Sequence, residues 1–110
     1  MMKEEFEQRI GEKVDAIFYQ RVEIIYLYHP FIKDVGGKDQ IAMLYQQGIL
    51  MDLFPKAQHI KSLEEIIQVQ EEYLREGVFS GNEEKTRGAE KSISNMYKLL
   101  EGLRAPNSLA

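Results

Sequence analysis

The sequence predicts an all-α fold of four or five helices that ends in an antiparallel helical hairpin. Three observations carry that expectation. Apolar residues recur at spacings of three and four along most of the chain, as in Ile41, Leu44 and Tyr45, which places them on one helical face. No run alternates apolar and polar residues as a half-buried strand does. Two long amphipathic runs of matching length, joined by a short turn, fill the second half. With 110 residues, 44% of them hydrophobic and 29% charged, the chain suits one ordered domain. The expected boundaries are a single helical domain over residues 1–104 and a disordered tail at 105–110.

The first helix is expected over residues 3–10, with Phe6 and Ile10 on one face and Gly11 as its C-terminal cap. Asp15 can cap the second, which runs to about Tyr28. Phe18, Val22, Ile25 and Tyr26 form a stripe wide enough to pack on more than one side. His29-Pro30 stops that helix, because a residue before proline is pushed out of the helical region. Phe31 to Gly37 then reads as a loop that exposes Lys33 and Asp34.

The stretch from Gly36 to Pro55 holds the densest apolar run. A turn at Gly36-Gly37 and Asp39 near the positive helix end open it. It should form a buried central helix, with Leu44 inside, bent or broken near Gly48. Pro55 ends it or opens the next helix.

A long helix is expected over 57–76. Ile60, Leu63, Ile67 and Leu74 make a nearly heptad seam, with Gln70 in the missing position. Ile66, Val69 and Tyr73 make a second row beside it. Gly77 ends this helix. Ser80 with Glu83 matches a capping box, and Asn82 is a rival N-cap. The last helix runs from about Glu83 to Leu103, where Ala89, Ile93, Met96, Leu100 and Leu103 recur at 4-3-4-3, and the last four of these should face the first seam.

Charge and composition exclude several classes. The chain has no cysteine, so disulfides, thiolate zinc sites and cysteine nucleophiles are out. Its net charge is −4, and residues 57–76 carry two basic and five acidic side chains. No segment concentrates the positive charge that phosphate binding needs. The apolar run after Gly48 is far shorter than the ~20 residues a membrane span needs. The N-terminus, MMKEEFEQRI, lacks the apolar core of a signal peptide. A cytoplasmic protein without a membrane association is expected.

Catalytic and metal motifs are weak. His29 and His59 lie far apart without companion ligands; the first reads as a helix C-terminal residue, the second as a surface position. Paired acids such as Glu64-Glu65, Glu71-Glu72 and Glu83-Glu84 read as solvated faces rather than an acid–base pair. Ser80, Ser92 and Ser94 lack a nucleophile elbow. Gly36-Gly37-Lys38 lacks the spacing of a phosphate loop. The expectation is a protein that is not an enzyme and takes no cofactor. Residues 39–54 offer a degenerate helix-turn-helix and so an alternative, a small DNA-binding transcriptional regulator. There, however, Gly48 comes late, and the would-be recognition helix 49–54 is apolar and carries Asp52.

The elements Glu5-Phe6-Glu7, Tyr28-His29-Pro30, Gly37-Lys38-Asp39-Gln40-Ile41-Ala42-x-Leu44-Tyr45 and Asp52-Leu53-x-Pro55 resemble those of small uncharacterised helical proteins of phages and mobile elements of Gram-positive bacteria. The resemblance covers about the first half of the chain and brings no catalytic residues. It implies an accessory protein that acts by binding, such as an anti-CRISPR-like inhibitor of a host enzyme. The expected interface comprises Glu64, Glu65, Val69, Glu71, Glu72, Tyr73 and Tyr97. Its acidic members would meet a basic protein surface. Its apolar members would join two copies into a homodimer built partly from residues 57–103.

Overall fold

The computed structural model describes residues 1–34 and 37–105, apart from the side chains of Lys33 and Asp34. Gly36, the expected exposure of Lys33 and Asp34, and the expected tail from 106 onward lie outside the described residues. Every element among the described residues is helical: α1 (Lys3–Ile10), α2 (Ala16–Tyr28), α3 (Pro30–Asp34), α4 (Lys38–Gln46), a 3-10 turn (Leu50–Leu53), α5 (Phe54–Glu76) and α6 (Glu83–Leu103). Six α-helices replace the four or five expected.

The extra helix is α3, where a loop was expected. Pro30 opens it, a position that suits proline's fixed φ and missing N–H. Fully buried His29 ends α2 through its own N–H to the Ile25 carbonyl. Its Nδ1 then accepts the Phe31 N–H at 3.2 Å. One residue thus closes one helix through its backbone and starts the next through its side chain.

The central stretch breaks at Gly48 rather than bending. Gly48 has φ 77°, the left-handed region where a side chain is strained. Its N–H reaches the Tyr45 carbonyl at 3.0 Å, and Ile49 N–H reaches Leu44 at 3.1 Å. These two bonds close α4 in a Schellman motif. The chain then makes one 3-10 turn that buries Leu50 and Leu53. Pro55 sits in the first turn of α5, which therefore starts at Phe54, earlier than the 57 expected.

Helices α1, α2 and α4 form a head around Phe6. Its ring is fully buried, 6.2 Å from Tyr19 and 5.7 Å edge-on from Tyr45. Val22, Ile25, Ile41 and Leu44 complete this core. Asp15 caps α2 through Phe18 N–H at 2.7 Å, and Gly11 ends α1 with φ 78°. Lys38 pairs with Glu5 at 2.9 Å, and Arg9 with Asp39.

Helix α5 is the spine of the molecule. At 23 residues it is about 34 Å long. Its first half runs beside α2 in the same direction: Arg21 lies 5.1 Å from the Phe54 ring centroid, and Tyr28 packs on the cluster around Ile60. Its second half packs on α6 alone. The result is an elongated molecule of 58 × 29 × 17 Å. Its radius of gyration is 17.6 Å, against about 13 Å for a compact chain of this length. No helix among the described residues is long and apolar enough to cross a membrane.

Candidate functional site

The part of the chain that projects from the head is the arm formed by α6 and the second half of α5. Gly77 turns the chain out of α5 with φ 74°; its N–H reaches Leu74, and Val78 N–H reaches Tyr73 at 3.0 Å. Asn82 then starts α6, its side chain accepting the Lys85 N–H at 3.0 Å. Asn82 therefore caps the helix, and Ser80 belongs to the turn, its N–H bonded to the Gly77 carbonyl at 2.9 Å. Ile60, Leu63 and Ile67 are buried against Ile93 and Leu100, with Leu74, Met96 and Leu103 half-buried around them.

Two polar contacts fix how the helices run. Arg104 pairs with Glu64, and the Tyr97 hydroxyl donates to the Glu71 carboxylate. The helices are therefore antiparallel. Glu64, Glu71, Tyr97 and Arg104 all lie on one broad face of the arm. With Gln68 and Arg75 they line a shallow polar groove. The Glu71 carboxylate on its hydroxyl, helped by partial desolvation, holds Tyr97 ionisation above the ordinary 10.0. On the outer edge of α5, Glu65 pairs with Lys61, and that bond raises the lysine above its ordinary value of 10.5.

The opposite broad face carries four exposed large hydrophobic side chains, with Gln70, Ser92 and Asn95 interspersed between them. Helical spacing puts Ile66, Val69 and Tyr73 together, a third of a turn or less apart on α5 and away from Glu64 and Glu71. The same rule, with the handedness set by the Tyr97 and Arg104 contacts, puts Leu99 on this face of α6. Their exposures are 49%, 43%, 42% and 54%.

The seven residues expected at the interface therefore do not form one patch. Glu64, Glu71 and Tyr97 come together on the polar face. Val69 and Tyr73 lie on the opposite one. Glu65 and Glu72 occupy the outer edge of α5. Of the four acids offered to a basic partner, Glu64, Glu65 and Glu71 are already engaged within the chain, and Glu72 stays exposed. No family model matches the chain, and neither a curated protein nor a solved structure matches it. Sequence reasoning missed Leu99. It is a single apolar residue off the seam, and no periodicity in the sequence points to it.

The other candidates fall as follows. His59 is exposed and His29 is buried. Among the described residues, no three His, Asp or Glu side chains group as a metal site requires. In the stretch 39–54, α4 is present, but residues 50–53 make a single 3-10 turn with Leu50 and Leu53 in the core rather than an exposed recognition helix.

Proposed function

We propose that this chain is a small non-catalytic protein-binding module, an accessory protein of the inhibitor kind that its resemblance to phage and mobile-element proteins implies. It acts in the cytoplasm, and its binding element is the helical hairpin α5–α6. The observation that carries this reading is the grouping of Ile66, Val69, Tyr73 and Leu99 on one face, each more than two-fifths exposed. Single exposed apolar side chains are ordinary, whereas a contiguous group on a projecting element marks an interaction surface. Tyrosine suits such a surface, since it offers area and a polar tip at small entropic cost. The free carboxylates of Glu72 and Glu76 on the rim favour a partner with basic side chains.

The test is affinity capture from a bacterial lysate by the wild type and by the Val69→Glu, Tyr73→Glu double variant, with both chains first shown to be folded by circular dichroism. A defined protein retained by the wild type and lost by the variant is expected. Equal retention by both would move the binding element off this face. A chain that instead bound DNA, with affinity falling steeply as salt rises, would return the reading to a DNA-binding regulator.

A further inference from the structure

We infer that the face of the arm that carries Ile66, Val69, Tyr73 and Leu99 is filled by a second copy of this chain, with α5 of one protomer lying over α6 of the other about a two-fold axis parallel to the arm. The inference rests on the arm being the binding element and names its partner. Four features of the face select this occupant.

The first is register. The contacts Glu64–Arg104 and Glu71–Tyr97 put Ile66 level with Gly102, Val69 with Leu99, Tyr73 with Asn95 and Glu76 with Ser92. A two-fold axis along the arm preserves these levels between protomers. Ile66 then meets Gly102 of the second copy, and Val69 meets its Leu99.

The second is shape. The α5 half of the face is a ridge of large side chains. The α6 half carries Leu99 and Asn95 between the small residues Ser92 and Gly102, and a Cβ on Gly102 would meet nothing within 4 Å beyond the helix's own neighbouring backbone. Rotation about that axis lays Ile66 over the gap at Gly102 and Val69 against Leu99, and does so twice. This is the self-complementarity that an isologous interface requires.

The third is charge. The outer edge of α5 carries Glu72 and Glu76, beyond Glu65 which is already paired with Lys61, and that of α6 carries Lys91 and Lys98. The along-arm axis brings the acidic edge of each chain beside the basic edge of the other. Glu76 is then within one residue's rise of Lys91, and Glu72 within two of Lys98. An axis across the arm would set acid against acid and base against base, which opposes pairing.

The fourth is access and area. Pro55 and His59 continue the Ile66–Tyr73 line along the first half of α5 and are exposed, so the head does not overhang this face. Helix α6 and the second half of α5, each about 10 Å across and roughly 30 and 20 Å long, present on the order of 500 Å² of face. That is somewhat below the ~800 Å² per partner of a standard interface.

The absence of cysteine makes the test clean. Val69→Cys and Leu99→Cys chains are prepared separately, mixed and gently oxidised. A disulfide-linked dimer should form in the mixture and not in either chain alone. Light scattering on the wild type at micromolar concentration should give twice the 12.8 kDa of one chain. The Val69→Glu, Tyr73→Glu variant should weaken self-association by about 100-fold or more. Cross-linking of Val69→Cys alone would overturn this arrangement in favour of α5 against α5. A monomeric wild type would overturn the second copy altogether. The arm would still stand as the binding element if the capture experiment retained a foreign protein that the double variant loses, and would fall with it if both chains retained the same proteins.

Discussion

Arg104, one residue past the end of α6, pairs with Glu64 near the middle of α5. The pair marks where the head ends and the arm begins. It lies level with the last turn of the arm, just beyond the point where Tyr28 packs. Helices α2 and α6 thus follow one another along α5. Both partners are about a third or more exposed, so water screens the pair and it contributes at most about 1 kcal/mol. Leu100, on the same side of α6, is buried to 3% exposure. Arg104→Ala should therefore lower stability by less than about 1 kcal/mol. Leu100→Ala should lower it by about 2–5 kcal/mol. Urea denaturation of the two variants would show whether packing or charge holds the arm; equal losses would contradict this ranking.

The head makes a parallel prediction. Leu44 is 4% exposed, in the cluster with Ile41 and Leu50. Leu44→Ala leaves a cavity there and should cost about 2–5 kcal/mol in a thermal melt. An unchanged melting temperature would mean that α4 is not packed as described.

Much of this architecture is legible in the residues. Asp15, Gly11 and Gly77 declare helix ends because capping is local chemistry, settled within a few residues. The two arm seams are legible because a 3-4 repeat survives over about four turns. What is hidden depends on tertiary context. Helix α3 is too short for periodicity, and a histidine outside the usual capping set starts it. The buried 3-10 turn follows from where Leu50 and Leu53 must go, not from any propensity. The candidate site is half legible. The row Ile66, Val69 and Tyr73 shows in the sequence. Whether Tyr97 or Leu99 shares its face depends on the hand of the helix pairing, which only the Tyr97 and Arg104 contacts supply. The expected union of Glu71, Val69 and Tyr97 in one patch fails because Val69 and Glu71, two residues apart on α5, fall on opposite faces by helical spacing alone, and the hand of the pairing then puts Tyr97 with Glu71.

The rivalry between Ser80 and Asn82 gives a third test. Asn82 accepts the Lys85 N–H, a donor otherwise left open at the helix start. Asn82→Ala should cost about 1 kcal/mol, whereas Ser80→Ala should change stability by no more than a few tenths. The reverse order would restore Ser80 as the cap.

Tyr97 gives a prediction in alkali. Its neutral hydroxyl donates to Glu71, and this bond, then partial desolvation, raises its pKa from 10.0. A raised pKa means the contact contributes fully below pH 10.0 and is lost as pH climbs through the folded-state value. The ultraviolet titration of the wild type, after subtraction of Tyr97→Phe, should therefore show a midpoint above 10.0. Glu71→Gln should bring that midpoint back toward 10.0, because it removes the carboxylate while leaving an acceptor. A Tyr97 midpoint unaffected by Glu71→Gln would place the hydroxyl elsewhere.

The last prediction concerns which part of the molecule opens first. The head buries Phe6, Val22, Ile25 and Ile41 completely, against neighbours from several helices. The arm has one seam, and α6 rests on α5 without a third helix behind it. Local opening follows the density of buried apolar contact, so α6 and the end of α5 should unfold at lower free energy than α2 and the start of α5. Native-state hydrogen exchange should find the most protected amides near Val22, Ile25 and Ile60, and faster exchange across residues 83–96. Asn82→Ala should speed exchange in α6 and leave the head unchanged. A two-fold dimer adds a concentration term, because association stabilises only the closed arm. Diluting the protein should then accelerate exchange in α6 more than in the head. If α6 were instead as protected as α2 at every concentration in a chain shown to be monomeric, the arm would have to be an integral part of the head's cooperative unit.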